Sequence, residues 1–425
     1  MKEEKVFKDP VHKYIYVQDA TIWDLINTRE FQRLRRIRQL GTSFLTFHGA
    51  EHSRFSHSLG VYEVTRKIIS QFERNLYEDW PKDERLLCLC AALLHDLGHG
   101  PFSHSIEKAF GTRHEDWSCR IVLGDTEVNE VLRRVSPDFP KKVAGVICKS
   151  YSEEIVVSLV SSQLDADRMD YLLRDAYFTG VNYGTFDLER ILRVIRPYKG
   201  HIVVKESGMH AVEDYLMSRY QMYWQVYFHP VTRSAEILLH KIFQRAKHLY
   251  EENYTFGYMV APIMHLIQNK ISLDDYLLLD ESVMQSMLTF WSAEKDAILA
   301  DMCKRFLNRN LYKYSTFEDS NQRILQRLQQ AMEEVGFDPT YYMEIDFPSD
   351  QSYDVYRAGE NDDNLPILLL DHKENLTEIT HKSEIVQSIS GFQMGKHHLY
   401  YPEELLERLH ATEHADLWAL LGEQE

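Results

Sequence analysis

The sequence predicts a mainly α fold: a helical body over residues 1–335, opened by a short hairpin, and a smaller C-terminal α+β region over 336–425. Three observations predict it. Apolar residues recur at spacings of three and four through most of residues 21–335, the period of a helix that buries one face. The character changes after Phe337-Asp338-Pro339. Apolar residues make up 44% of the 425, enough to build a large core.

Taken in order, residues 5–18 (KVFKDPVHKYIYVQ) alternate apolar and polar, as a strand or hairpin does. Ile22, Leu25, Ile26, Leu34, Ile37 and Leu40 then keep helical spacing, and Gly41 can end that helix. Helical patterns follow at 58–78, 83–97, 103–110, 115–135, 140–148 and 153–178. HIVVKESG (201–208) reads as a strand and turn, 209–250 as a long helical stretch, and 272–335 as helical again. Beyond the boundary placed at 335–340, YYMEIDF and PILLLD read as strands separated by the polar loop AGENDDN (358–364). LYYPEELLERLHA reads as a closing helix. There is no internal repeat and no low-complexity segment.

Composition excludes several functions. The formal charge is −17, from 65 acidic and 48 basic residues, so strong nonspecific nucleic-acid binding is not expected, although a locally basic pocket can take a small polyanion. The longest apolar run, Leu86 to Leu94, is nine residues, too short to span a bilayer. The N-terminus MKEEKVFKDP has no signal-type apolar stretch. Five cysteines without a CxxC pair (Cys88, Cys90, Cys119, Cys148, Cys303) read as reduced thiols of a cytoplasmic protein.

Chemistry concentrates in LLHDLGHGPFSH (93–104). It sets His95 beside Asp96 at the end of an apolar helix. Burying an imidazole and a carboxylate together is costly unless a cation compensates. One histidine alone would be read as a core residue; His57, His95, Asp96 and Asp167 together read as two histidines and two carboxylates for a catalytic divalent ion. Asp165 competes for the last place. Such a site holds the charge and leaves positions open for water and substrate. Gly98, Gly100 and Pro101 break the helix beside it and leave room. Asp167, Tyr171 and Asp175 share one helix face at i, i+4 and i+8, with Arg168 beside them. A solvated charged helix is the plain alternative. Arg219, Tyr223 and Tyr227 form a second such stripe, whose plain alternative is an aromatic core stripe.

HSRFSHSLGVYEV (52–64), LLHDLGHGPFSH and DADRMDYLLRDAYFTG (165–180) resemble the three signature segments of HD-domain phosphohydrolases. KVFKDPVHKYIYV, FQRLRRIRQLG, FHGAEHSRFSHSLG and SRYQMYWQVYFHP narrow the resemblance to the deoxynucleoside triphosphate triphosphohydrolases, over residues 1 to roughly 250 and without the SAM domain of the animal enzyme. The resemblance implies an HD-domain helical core, deoxynucleoside triphosphate (dNTP) substrates, and release of deoxynucleoside and inorganic triphosphate. It implies one divalent metal ion per subunit (Mg, Mn, Fe, Ni and Zn are not distinguished), held by His57, His95, Asp96 and Asp167, which favours Asp167 over Asp165.

By the same resemblance His99, His104, Glu107 and His114 are catalytic, with Glu107 standing where relatives carry aspartate and orienting His104. Arg54, Arg168 and Arg219 match phosphate-binding positions, and Tyr171 and Asp175 the sugar 3′ side. Gln39 and Leu40 match positions near the base and 3′-hydroxyl, and Tyr227 packs on the deoxyribose. Tyr223 replaces a histidine of the animal enzyme. The resemblance further implies a homotetramer with an activating nucleotide (dGTP, dATP or GTP) touching Lys5, Asn27 and Arg35. Asn27 replaces an aspartate that reads guanine, so activation is expected to be less strictly guanine-specific. Lys13 replaces a glycine usual in that motif. Five arginines in REFQRLRRIRQL (29–40) fit that surface or a plain solvated face. The competing functions are an HD phosphodiesterase or 5′-nucleotidase, and a non-catalytic nucleotide-sensing scaffold.

Overall fold

The computed structural model describes residues 3–317, 322–347, 366–390 and 397–412, together with 414, 416, 417 and 421. The chain opens with the antiparallel hairpin β1 (Lys5–Asp9) and β2 (Lys13–Val17). Helices α1 (Ala20–Ile26), α2 (Arg29–Arg33), α3 (Arg54–Arg74), α4 (Arg85–Leu94), α5 (His104–Phe110), α6 (His114–Leu123), α7 (Glu127–Arg133), α8 (Phe139–Ile147), α9 (Glu154–Val160), α10 (Ala166–Thr179) and α11 (Leu188–Val194) follow. Strands β3 (Ile195–Tyr198) and β4 (His201–Lys205) precede α12 (Met209–Met222), α13 (Pro230–Glu251), α14 (Ala261–Ile267), α15 (Leu273–Leu278), α16 (Glu281–Trp291) and α17 (Ala297–Leu307). The remainder is β5 (Lys313–Phe317), α18 (Gln322–Glu334), α19 (Pro339–Tyr342), β6 (Glu344–Asp346), β7 (Leu368–Leu370), β8 (Leu376–Glu378), α20 (Glu384–Ile389), β9 (His397–Tyr401) and α21 (Glu403–His410). The fold is mainly α, as expected.

Several expected helices are shorter than their apolar period. The stretch 21–40 breaks at Asn27-Thr28, where the Thr28 side chain caps the amide of Phe31 and starts α2. Gly124 and Thr126 split 115–135 into α6 and α7, and Ser161–Asp165 split 153–178 into α9 and α10. The stretch 209–250 is interrupted by a π-helical turn at Tyr223–Tyr227, ahead of Pro230 at the start of α13. Residues 313–317, read as helical, form β5. The loop 358–364 lies outside the described residues. Cys119 and Cys148 are joined as a disulfide tying α6 to the end of α8, which corrects the expectation of reduced thiols for those two; Cys88, Cys90 and Cys303 are free and buried.

The buried apolar residues form two clusters. One runs from the hairpin through α12 and takes in Ile367, Leu369, Ile379, Val386 and Ile389 from the C-terminal region. The other gathers α13 to α17 with Leu399, Tyr400, Leu405 and Leu409. Residues on both sides of 335–336 therefore share each core. β7 adds in parallel to β4 within the sheet β3-β4-β7-β8, and β9 lies between β5 and β6. Phe102, Ile106 and Trp117 belong to the second cluster, while Leu97 and Ile121 belong to the first. The segment carrying His95 to His114 thus crosses the seam between the two cores.

Candidate metal and phosphate site

Three elements supply the expected ligands. His57 lies in the first turns of α3, His95 and Asp96 follow the last turn of α4, and Asp167 is in the first turn of α10. Close approach of α3 and α10 needs Gly60: a Cβ there would meet Asp170 Oδ1 at 1.8 Å. The approach of α6 to the loop after Asp96 needs Gly98, where a Cβ would meet the His114 carbonyl oxygen at 2.1 Å.

The four side chains converge. His57 Nε2 lies 3.0 Å from Asp167 Oδ1 and 3.6 Å from Asp96 Oδ2. His95 Nε2 lies 3.3 Å from Asp96 Oδ1 and 3.5 Å from Asp167 Oδ1. The other ring nitrogens hold both imidazoles in the ligand orientation. His57 Nδ1 donates to Asp170 Oδ2 (2.8 Å), and His95 Nδ1 donates to the Ala92 carbonyl (2.8 Å). Both Nε2 atoms therefore face the carboxylates. Among the described residues His95 Nε2 is buried with no hydrogen-bond partner. Two imidazole nitrogens and two carboxylates around one point fit a divalent cation. Asp165 is engaged elsewhere: it caps α10, accepting from the amides of Arg168 and Ser162 (2.7 Å each).

Behind His57 stands a buried network that the sequence reading missed. Asp170 accepts from His57 Nδ1, from His12 Nε2 (2.6 Å) and from Arg174 Nε (2.8 Å) and Nη2 (2.9 Å). Arg174 also donates to Asp9 (2.8 Å). Burial pushes the Asp170 carboxyl up, but Arg174, His12 and His57 outweigh it and hold the value well below the usual carboxylate range. The hairpin is thereby tied to His57. The one cue in the sequence was the third aspartate of DADRMD, three residues after Asp167.

A second cluster lies alongside. Asp96, His99 and His114 bring potential ligand atoms within 4.8 Å of one another. His99 Nε2 is 3.3 Å from Asp96 Oδ1, and its ring stacks on His114 at 3.8 Å. Glu107 accepts from both His114 Nδ1 (2.9 Å) and its amide (3.0 Å). The environments push the two rings apart. Burial, then Arg54 and His114, hold His99 well below the usual imidazole range. For His114 burial acts downward, but Glu107 overrides it and raises the value. The side chain of His104, on the first turn of α5, lies outside the described residues.

Arg54 joins this centre to a cleft. Its guanidinium pairs with Asp96 and donates to Ser103 Oγ (2.9 Å) and the Gln39 carbonyl (3.3 Å). Ser103 and Phe102 both adopt positive φ (47° and 56°), strain that loops at functional sites store. Gln39, Leu40, Ser103 and Tyr227 line a cavity of about 200 Å³, together with Lys108 and His240. Tyr227 donates to Asp175 (2.9 Å), which also accepts from His52 Nε2 (2.7 Å), and Tyr171 meets Tyr227 edge-on at 6.0 Å. His52 was not anticipated. Tyr223 stacks on Phe228, a residue of the cavity wall, at 4.6 Å, so it backs that wall. Arg219 donates to Gln163 (2.7 Å), and Arg168 to the Ser162 carbonyl (2.6 Å) and Asp165.

The expected effector residues sit apart. Lys5 lies over the Trp23 ring (5.9 Å), the Asn27 amide donates to the Trp23 carbonyl (2.7 Å), and Arg35 covers the Phe55 ring (3.6 Å). Arg29, Arg36 and Arg38 pair with Glu30, Asp280 and Glu281.

Known proteins resemble the chain across this region. The HD domain family matches residues 54–175, and the HD associated region matches 186–256. The uncharacterized protein YwfO of Bacillus subtilis (strain 168) is 58% identical over 407 residues, 96% of this chain and 94% of that one. The deoxynucleoside triphosphate triphosphohydrolase SAMHD1 homolog of Dictyostelium discoideum is 28% identical over 331 residues, covering 74% of this chain and 60% of that protein. SAMHD1 of Danio rerio is 30% identical over 282 residues, covering 57% and 45%. The crystal structure of a phosphohydrolase from Bacteroides thetaiotaomicron superposes with a TM-score of 0.82 at 27% identity, over 94% of this chain and 100% of that one. No described helix is long and apolar enough to cross a membrane. The matched HD region carries all four converging side chains, and the chain belongs to the HD-domain phosphohydrolase family, in a branch resembling the deoxynucleoside triphosphate triphosphohydrolases.

Proposed function

We propose that this chain hydrolyses deoxynucleoside triphosphates to deoxynucleoside and inorganic triphosphate. The observation that carries the reading is the junction at Arg54. One guanidinium touches Asp96 of the cluster and Ser103, which lines a cavity together with Gln39, Leu40 and Tyr227. A phosphate at Arg54 would lie beside the cation, with a sugar and base in the cavity.

His57, His95, Asp96 and Asp167 would hold one divalent ion. Bound there, it supplies Lewis-acid polarisation of a phosphate oxygen and a lowered pKa for bound water. The residues of the chain do the rest. Arg54, Arg168 and Arg219 neutralise the triphosphate, the electrostatic strategy usual in phosphoryl transfer. Tyr171, Asp175 and Tyr227 orient the deoxyribose: Asp175 accepts from its 3′-hydroxyl, and the Tyr227 ring leaves no space for a 2′-hydroxyl. Water attacks the α-phosphorus, the bond to the 5′-oxygen breaks, and the leaving oxygen takes a proton. That proton comes from the histidine set, which is restored by the proton the attacking water gives up. Glu107 raises His114 beside the depressed His99, which favours His114 as the donor of the pair, and the family resemblance adds His104 at the 5′-oxygen.

The same reading includes a homotetramer and activation by dGTP, dATP or GTP at Lys5, Asn27 and Arg35, which the resemblance to activated relatives supports. A strict requirement for GTP would refute the part assigned to Asn27. The central test is product analysis by chromatography with each dNTP and Mn²⁺ or Mg²⁺. Triphosphate release that vanishes in the His95→Ala/Asp96→Ala double variant is expected. Orthophosphate release from nucleoside monophosphates would instead support a 5′-nucleotidase, and binding without turnover a sensing scaffold.

A further inference from the structure

The backbone of Gly98-His99 has all four of its polar groups engaged, three of them by side chains from outside the loop. The Gly98 amide donates to Ser118 Oγ of α6 (2.8 Å). The Gly98 carbonyl accepts from the Tyr276 hydroxyl of α15 (2.6 Å). The His99 amide donates to the Asp96 carbonyl (3.1 Å), and the His99 carbonyl accepts from Arg33 Nη1 of α2 (2.9 Å). Arg33 and Tyr276 support each other: the guanidinium lies over the tyrosine ring at 5.4 Å, and that ring stacks on Trp117 at 3.8 Å, nearly coplanar at 2°. Both are buried, at 2% and 1% exposure.

Arg33 differs from its neighbours in the arginine-rich segment. Arg29, Arg36 and Arg38 have carboxylate partners and Arg35 has Gln32. Among the described residues Arg33 has no ion-pair partner; its bonds go to two carbonyls, of His99 and Leu279 (3.0 Å). An arginine buried without a counter-ion is costly for stability alone. Its position is better explained by what it holds.

We infer that Arg33 and Tyr276 are positioning residues that clamp consecutive carbonyls of the catalytic loop and so set the His99 ring against Asp96 and His114. The inference rests on the proposed function, in which His99 stands beside Asp96 at the centre. Tyr276 lies beyond both matched family regions, so the clamp brings a third part of the chain to the centre. The loop contains Gly98 and Gly100, and without outside bonds its backbone would sample other conformations. A shift of about 1 Å in a catalytic group can cost a hundredfold in rate.

The test uses the full chain with Mn²⁺ and three variants: Tyr276→Phe, which keeps the ring on Trp117 and removes only the hydroxyl, Arg33→Lys, and Arg33→Met. The clamp predicts a kcat about tenfold or more below wild type for Tyr276→Phe, with KM within about twofold and bound metal per chain unchanged. It predicts kcat falling in the order wild type, Arg33→Lys, Arg33→Met. Histidine-selective NMR supplies a reading that needs no turnover: the His99 ring resonances move in Tyr276→Phe while those of distant His201 stay. The inference is overturned by unmoved His99 resonances, by kcat within twofold of wild type, or by a loss of kcat matched by an equal loss of bound metal. If the wild type releases no triphosphate from any dNTP, the proposed function fails, and the NMR comparison still decides the clamp.

Discussion

Asp170→Asn removes one charge and changes no shape, at a position that touches neither the metal cluster's carboxylates nor the cleft. Asp170 is fully buried and accepts four hydrogen bonds, from His12, His57 and twice from Arg174. An amide offers one acceptor oxygen and turns two donor hydrogens toward donors. Breaking a buried ion pair from one side costs about 3–5 kcal/mol. Arg174 keeps Asp9 at 2.8 and 3.3 Å, which places the expected loss at the lower end, about 3 kcal/mol. His57 also loses the carboxylate that fixes its ring, which lowers metal affinity about 10- to 100-fold, or about 1.4–2.7 kcal/mol. Urea unfolding of the metal-free protein reads the first quantity, and calorimetric Mn²⁺ titration reads the second. The sign with pH is determined by the depressed carboxyl. Its contribution is present above the unfolded carboxylate range and is lost as pH falls through the lower folded value. The gap between wild type and variant should therefore hold through neutral and mildly acidic pH and close only in strong acid. Stability within about 0.5 kcal/mol of wild type, with unchanged metal affinity, would refute the network argument.

Gly60→Ala forces α3 from α10, because its Cβ meets Asp170 Oδ1 at 1.8 Å and Arg174 Nη2 at 2.5 Å; a loss of about 1–3 kcal/mol is expected in thermal or urea melts. Glu107→Gln removes the charge that raises His114, so the alkaline limb of kcat/KM against pH should move to lower pH while the acid limb stays. Chelation should abolish turnover and lower the melting temperature, since an ion at a hundred times its Kd stabilises the folded state by about 2.7 kcal/mol; an unshifted melt would count against the ion assigned to His57, His95, Asp96 and Asp167.

The sequence displayed chemistry better than it displayed partners. His95-Asp96 was visible because adjacent ligand types at an apolar helix end are rare, and the face shared by Asp167, Tyr171 and Asp175 followed from helical period alone. Asp165 and Asp167 could not be separated by period, yet the structure separates them by a local rule, since Asp165 precedes α10 and caps it. Asp170, His12 and His52 stayed hidden because their partners lie far along the chain: 158 positions between His12 and Asp170, and 123 between His52 and Asp175. Arg33 was indistinguishable from four other arginines until burial singled it out. Periodicity also overran helix ends, as at Thr28, where a capping side chain outweighs a continued apolar pattern. β5 escaped notice because its pairing with β9 spans more than eighty residues.

That last pairing bears on how the chain is made. β9 lies between β5 and β6, and neither of those strands pairs with the other. During synthesis the metal-binding half emerges first, and β5 and β6 then wait with open edges until residues 397–401 leave the ribosome. The second core can close only after β9 and α21 have been made. Ribosome stalling before that point would leave strand edges available for pairing with other chains, so β9 guards against aggregation as much as it completes the fold.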